Sequence, residues 1–262
     1  MKLLVTGYKG FIGQHAVNKL KNMNIPYDVY EWGETYPKFN QITHVMHFGA
    51  ISSTTETNWD KVMLQNYDFS KKLLCDCEYH NIHFQWSSSA SIYGLGDNFS
   101  EDAPPDPRTP YSASKYLFER FTHKTQSLGL EIPVQAFRYF NVYGDYGEDH
   151  KGDQASPYHK FRQQAKRTGI IQIFDNSEYY LRDFIHVDDV LNIQFKFLNI
   201  KESGIWNIGT GKPKSFLEVA REIAIETGAT IEFIPMPDNL QKSYQKYTCA
   251  DLTKLHKTLG FS

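Results

Sequence analysis

The 262-residue chain has no excess of charge of either sign: 28 Lys and Arg stand against 30 Asp and Glu, leaving a formal net charge of -2. Without a run of basic residues, a nucleic acid or a membrane surface is a poor candidate for its main partner. No stretch nears the roughly 18 apolar residues that a membrane span needs. The start, "MKLLVTGYKG", meets glycine too soon for a secretory core, so the expected location is the cytoplasm. Cysteine is scarce: Cys75, Cys77 and Cys249 make an odd set, read as packing thiols rather than a zinc site. The ten histidines show no ligand spacing, so no metal is expected. Internal repeats and low-complexity tracts are missing too.

What the chain has is size and alternation. With 40% hydrophobic residues it can bury a sizeable core, and small-molecule chemistry becomes the better expectation. The apolar run "KLLVT" ends in glycines, and Phe11, Ile12, Ala16, Val17 and Leu20 follow at helical spacing. Strands are expected in "YDVYEW", "THVMHFGA", "HFQWSSSASIYG" and "VQAFRYFNVYG", with helices over residues 58–80 and 111–126 between them. Such alternation predicts an α/β fold, a Rossmann-type doubly wound parallel sheet. After Gly144 the texture turns polar and rich in Gly and Asp, which marks a smaller C-terminal substrate-binding lobe. The expected division is a dinucleotide-binding domain over 1–143, which also receives about 184–200, and a lobe formed mainly by 144–262.

"TGYKGFIG" sets Gly7, Gly10 and Gly13 in a G-x-x-G-x-x-G turn between strand and helix. A dinucleotide pyrophosphate needs such a turn, because glycine lets the backbone approach and the helix N-terminus offers free N–H groups. Glu31 follows about 20 residues later, where an acid can accept from a ribose 2'-OH and so favour NAD. Lys9 pulls toward NADP, since it could pair with a 2'-phosphate, or it could neutralise Glu31. The plainer reading of Glu31 is a solvated acid at a strand end.

"PYSASKY" holds Tyr111 and Lys115 one helical turn apart, so both can face the same bound molecule. A phenol with an ordinary pKa near 10 is a poor base at neutral pH; a neighbouring ammonium and a cationic nicotinamide would favour phenolate. "WSSSASIYG" would end at the carboxyl edge of the sheet and offer Ser89 to a substrate hydroxyl, unless it only satisfies its own backbone.

Taken together, "TGYKGFIG", "HFGAISS", "SSSASIYG", "YSASK", "RYFNVYG", "RDFIHVDDV" and "WNIGTG" resemble the extended short-chain dehydrogenase/reductase family of nucleotide-sugar epimerases and dehydratases, over nearly the whole chain. The resemblance implies a bound nicotinamide cofactor, NAD or NADP, that takes hydride from a sugar carbon and, in epimerases, gives it back. It implies that Tyr111, Lys115 and Ser89 are catalytic, with Lys115 also on the cofactor. It further implies cofactor contacts at Phe11, Ile12, Phe48, Gly49, Ala50 and Asn66 and a sugar-nucleotide contact at Asn141. Ala90 and Ser91 stand where the family's dehydratases carry an acidic pair, which disfavours elimination of water. A homo-oligomer built on helix 111–126 is also implied.

"GAISSTTET", "HKGDQAS", "YYLRDFIHVDDV" and "FIPMPDNLQKSYQKYT" resemble more narrowly the subgroup whose substrate is an ADP-heptose, inverted at C6. That resemblance implies Lys151 as a second acid/base and Phe174, Arg182 and Tyr244 as holders of the ADP-sugar. In plainer readings Lys151 is a loop lysine and Arg182 a partner in a surface salt bridge. Three departures accompany it. The 32–43 segment is short for the strand and turn that usually contact adenine; Asp153 and Ser243 replace the subgroup's serine and arginine; and "LGFS" ends the chain early, from which a trimmed lobe or a shortened chain is expected. The alternatives are another nucleotide-sugar 4-epimerase, a reductase, or an inactive dinucleotide-binding protein.

Overall fold

The computed structural model describes residues 1–49, 51–238 and 244–260; Ala50 and Ser243 lie outside the described residues. Six parallel strands form the main sheet: β1 (Leu3–Thr6), β2 (Tyr27–Tyr30), β3 (His44–His47), β4 (His83–Ser89), β5 (Val134–Tyr139) and β10 (Gly204–Ile208), in the order β10-β5-β4-β3-β1-β2. Alternate side chains feed opposite faces. Leu4, Val45, Phe84 and Ala136 join one buried cluster with Leu73 and Phe118, while Leu3, Val5 and Met46 join another with Leu20. Two buried faces explain why these strands read as nearly continuous apolar runs.

Helix α1 (Phe11–Asn22) packs beside α6 (Val187–Phe197), and α4 (Pro110–Ser127) lies against β4. The expected helix 58–80 is α2 (Trp59–Val62) and α3 (Phe69–Tyr79) joined by a π-helical stretch, Met63–Asp68. No strand falls between Tyr30 and His44, so β2 is the edge of the sheet.

The expected strand 134–144 breaks at Phe140. Phe140 N still donates to Ile208 O at 3.0 Å, but Asn141 N turns to Asp183 O at 2.9 Å. From there β6 (Asn141–Tyr143) pairs with β9 (Phe184–His186) in a separate two-stranded sheet. The strand expected to return to the main sheet in "RDFIHVDDV" is this β9; only its helix α6 returns. Around α5 (Pro157–Thr168) and α7 (Phe216–Thr227), β7 (Ile170–Phe174) pairs with β12 (Thr230–Ile234), and β8 (Leu181–Arg182) with β11 (Lys214–Ser215). These elements enclose a second core of Tyr158, Phe161, Ile171, Val219 and Ile223.

Asp183 fastens this layer to the sheet. Its fully buried carboxylate accepts from Thr210 N at 2.7 Å, Thr210 Oγ1 at 2.6 Å, and Gly211 N and Ala250 N at 2.9 Å each. Gly209 must stay glycine beside it: a Cβ there would lie 2.7 Å from Asp183 Oδ2.

Candidate active site

A cavity of about 890 Å3 opens along the carboxyl ends of the strands, at the point where the order reverses on either side of β1, the usual ligand crevice of such sheets. One end is the glycine turn. Gly7 has φ +73° and a Cβ there would meet Gly49 N at 2.4 Å; a Cβ on Gly13 would meet Gly7 O at 2.1 Å. Gly10 caps α1 without a side-chain hydrogen bond, and no acid stands in the first turn. The helix therefore offers bare N–H groups and its positive dipole end to the cavity, a cradle suited to phosphate.

Glu31 follows β2, with Oε2 accepting from Lys9 N at 3.1 Å and Oε1 from Trp32 N at 3.2 Å. Glu34, which sequence reading passed over, takes the Lys9 ammonium at 2.8 Å and accepts from Glu31 N at 2.9 Å. Its hydrogen bond holds the Lys9 amine above the ordinary range and its own carboxyl below. Lys9 is thus occupied by Glu34 rather than by Glu31. Gly49 and Phe69 border a smaller cavity of about 100 Å3 beside Glu31.

The middle of the cavity carries the hydroxyl, phenol and amine. Ser89 ends β4 and its Oγ accepts from Ser91 N at 3.1 Å. Thr109 and Ser112 close a reciprocal cap at the start of α4, with Pro110 in the first turn, and this fixes the entry angle of Tyr111. Tyr111 and Lys115 then share one helix face, the ammonium 5.8 Å from the Tyr111 ring centroid. Ser89, Tyr111 and Lys115 all line the cavity. Burial pushes the Tyr111 phenol up, and a hydrogen bond to Ser89 opposes it. Lys115 is 4% exposed, and burial pushes its amine down to about 7, with Glu119 opposing.

This gives a pH signature. Below about 7 the Lys115 amine is charged in both folded and unfolded chains, and its burial is fully unfavourable. Between about 7 and the ordinary 10.5 the folded chain releases a proton that the unfolded chain keeps, so stability rises with pH. Without ligands, the protein should gain urea resistance from pH 7 to 9 relative to Lys115→Met; parallel pH curves for the two would refute this.

Asn141, Lys151 and Arg182 also line the cavity, Lys151 on the glycine-turn side with its Nζ 4.7 Å from the Phe11 ring centroid. Arg182 is 9% exposed, donates to Leu181 O and Gln245 O, and lies 5.6 Å and 5.2 Å from the Phe216 and Tyr244 ring centroids. Burial pushes its guanidinium below the ordinary value. It enters no ion pair among the described residues, so an anion in the cavity would find it available. Phe174 and Tyr244 stand outside the lining of the cavity, as does Asn66. Asn66 is buried in the π-helical stretch, where it accepts from Ile51 N at 2.8 Å and donates to Ile51 O at 2.9 Å and Ser114 Oγ at 3.1 Å. Phe11, Ile12 and Phe48 line the cavity. Among the described residues no group of three His, Cys, Asp or Glu could hold a metal, and no helix is long and apolar enough to cross a membrane.

A buried network beneath the site was missed by sequence reading. Glu119, one turn past Lys115, pairs with Arg138 of β5 at 2.7 Å and accepts from Ser88 Oγ at 2.6 Å. Arg138 also donates to Tyr93 OH at 2.9 Å, which donates to Asn207 Oδ1 at 2.7 Å.

Residues 28–209 match the model of the NAD-dependent epimerase/dehydratase family. The ADP-L-glycero-D-manno-heptose-6-epimerase of Brachyspira hyodysenteriae is 38% identical over 289 residues, spanning 97% of this chain and 90% of that protein. The Helicobacter pylori ADP-L-glycero-D-manno-heptose-6-epimerase superposes with a TM-score of 0.86 at 22% identity, over 100% of this chain and 90% of the other, a likeness of fold. The Thermus thermophilus UDP-glucose 4-epimerase in complex with NAD gives 0.82 at 25% identity, over 100% and 94%.

Proposed function

The chain belongs to the NAD-dependent epimerase/dehydratase family, and from that premise we propose that it is a nucleotide-sugar epimerase that inverts C6 of an ADP-heptose. The observation that carries this reading is the convergence of Ser89, Tyr111 and Lys115 in one cavity with the glycine turn. The substrate follows from the likeness, over 97% of the chain, to the ADP-heptose epimerase.

NAD fits the first end of the cavity. Gly7, Gly10, Phe11, Ile12 and Gly13 would cradle its pyrophosphate, Glu31 and Gly49 its adenosine half, and Phe48 and Lys115 its nicotinamide half; Asn66 would act through the loop it holds. When bound, the nicotinamide accepts hydride from the sugar carbon and gives it back. Tyr111 takes the proton of the sugar hydroxyl that Ser89 orients, and the positive charge of Lys115 favours the phenolate against burial. Asn141 and Arg182 hold the sugar nucleotide, the guanidinium forking onto its diphosphate, and Tyr244 stiffens that guanidinium from behind. Lys151 manages the proton on the opposite face of the sugar. Dependence on a pyridine nucleotide pool supports a cytoplasmic location. Trp59, Leu64 and Leu117, exposed on neighbouring helices, support a homo-oligomer.

Incubation with ADP-heptose and a panel of UDP-sugars, read by NMR, tests the reading. Inversion at C6 of ADP-heptose is the expected result. Inversion only at C4 of a UDP-sugar would establish the alternative epimerase, and tight NAD binding without any turnover an inactive binder. A second prediction concerns the cofactor. Glu34 occupies the Lys9 ammonium and sets a second carboxylate beside Glu31, so a 2'-phosphate meets two negative charges there. Glu34→Gln should tighten NADP binding about tenfold while changing NAD little; an unaltered NAD/NADP ratio in fluorescence titrations would remove Glu34 from the discrimination.

A further inference from the structure

Behind Lys151 lies a carboxylate that has no role in the reading so far. Glu148 is fully buried and does not line the cavity. Its Oε2 accepts from Lys151 Nζ at 2.9 Å and Ser156 N at 2.7 Å, and its Oε1 from Ser156 Oγ at 2.7 Å and Gly144 N at 3.4 Å. Burial works against the charge, but the Lys151 ammonium and the Ser156 donors outweigh it and hold the carboxyl below its ordinary range.

These four donors come from three places: the end of β6, the 3-10 turn Asp149–Gln154 and the N-cap of α5. One carboxylate thus fixes the loop that leaves the main sheet, the start of the next helix and the amine between them. The amine is aimed at the cofactor end, with Lys151 Nζ 4.7 Å from the centroid of Phe11, the first residue of α1. Gly144 seats the loop on the same ring, since a Cβ there would come within 3.0 Å of Phe11 Cζ. Elsewhere a solvated glutamate could orient a lysine only weakly; here four hydrogen bonds and full burial leave Glu148 one position.

We propose that Glu148 is the positioning residue for Lys151, pairing with its amine and aiming it over Phe11 so that Lys151 is the proton donor in the reducing step. The inference rests on the role given to Lys151 above. In that step an N–H bond of Lys151 breaks, an O–H bond forms on the sugar oxygen, and a neutral amine remains beside Glu148 until solvent recharges it.

The test is a double-mutant cycle with ADP-heptose and NAD-loaded enzyme, in which Gln keeps an acceptor for Ser156 but loses the charge. Glu148→Gln should lower kcat about a hundredfold and leave KM within about threefold. Glu148→Asp should recover part of that loss. Glu148→Gln should add almost nothing in a Lys151→Met background, because the two act as a unit. Multiplicative losses in the double variant, or an unchanged kcat in the single one, would overturn the proposal. Trace acetylation read by peptide mass spectrometry follows the ion pair without any turnover: Lys151 should label about tenfold faster in Glu148→Gln than in the wild type. Equal labelling would overturn the positioning role. Absence of ADP-heptose turnover in a wild type whose Lys151 is protected would instead sink the substrate reading.

Discussion

Tyr111→Phe should lower kcat by about a thousandfold or more while leaving NAD affinity and thermal stability near the wild type. The substitution removes one oxygen and keeps the ring, so the packing of the half-buried side chain survives. What disappears is the phenol that lines the cavity beside Ser89 and Lys115; Tyr139, a second phenol of the lining, has its hydroxyl bonded to Ser87 Oγ. A positioned acid/base contributes about 100- to 10,000-fold. Here burial makes the phenol a weaker acid than usual, so charge supplied on binding has more to correct and the loss should fall in the upper part of that range. Single-turnover kinetics with calorimetry of NAD binding would check it. A variant that retains a tenth of wild-type kcat would take the proton transfer away from Tyr111.

The second large effect is on folding. Arg138→Met leaves the Glu119 carboxylate, 3% exposed, without its cation, and strips Tyr93 of a donor. Breaking one side of a buried pair costs about 3–5 kcal/mol. For a chain of this size that corresponds to a melting point lower by roughly 10 °C. Glu119→Leu added to Arg138→Met removes both charges and should recover at least half of the loss, though Ser88 Oγ would still lack its acceptor. Differential scanning calorimetry reads both. A loss below about 1 kcal/mol in Arg138→Met would show that solvent reaches the pair and that the network does not hold β4, α4 and β5 together.

Where the sequence carried the structure, it did so through local signals. Apolar runs between glycines and helical periodicity located the sheet, and the short 32–43 segment foretold the missing strand. The glycine turn, Ser89, Tyr111 and Lys115 were legible because turn chemistry and one-turn spacing act within a few residues. What escaped depends on partners distant in the chain. The break at Phe140 is decided by Asp183 O, and no pattern in "RYFNVYG" announces it. The π-helical stretch looks like plain helix until Asn66 finds the Ile51 backbone. Glu119, Glu148 and Asp183 are buried without any local signal in the sequence, because a formal charge says nothing about burial. Lys9 had two candidate partners in the sequence and took a third, Glu34, three residues past the expected one.

The switch at Phe140 also bears on how the molecule comes apart. The polypeptide leaves the six-stranded layer there, re-enters it through α6 after His186, and leaves again between Ile208 and Lys214. Scission anywhere between Gly144 and Gly204 therefore yields two fragments that each hold parts of both layers, so neither piece has a complete interior of its own. Denaturation should accordingly proceed as one cooperative event, with spectroscopic probes in either half reporting the same midpoint.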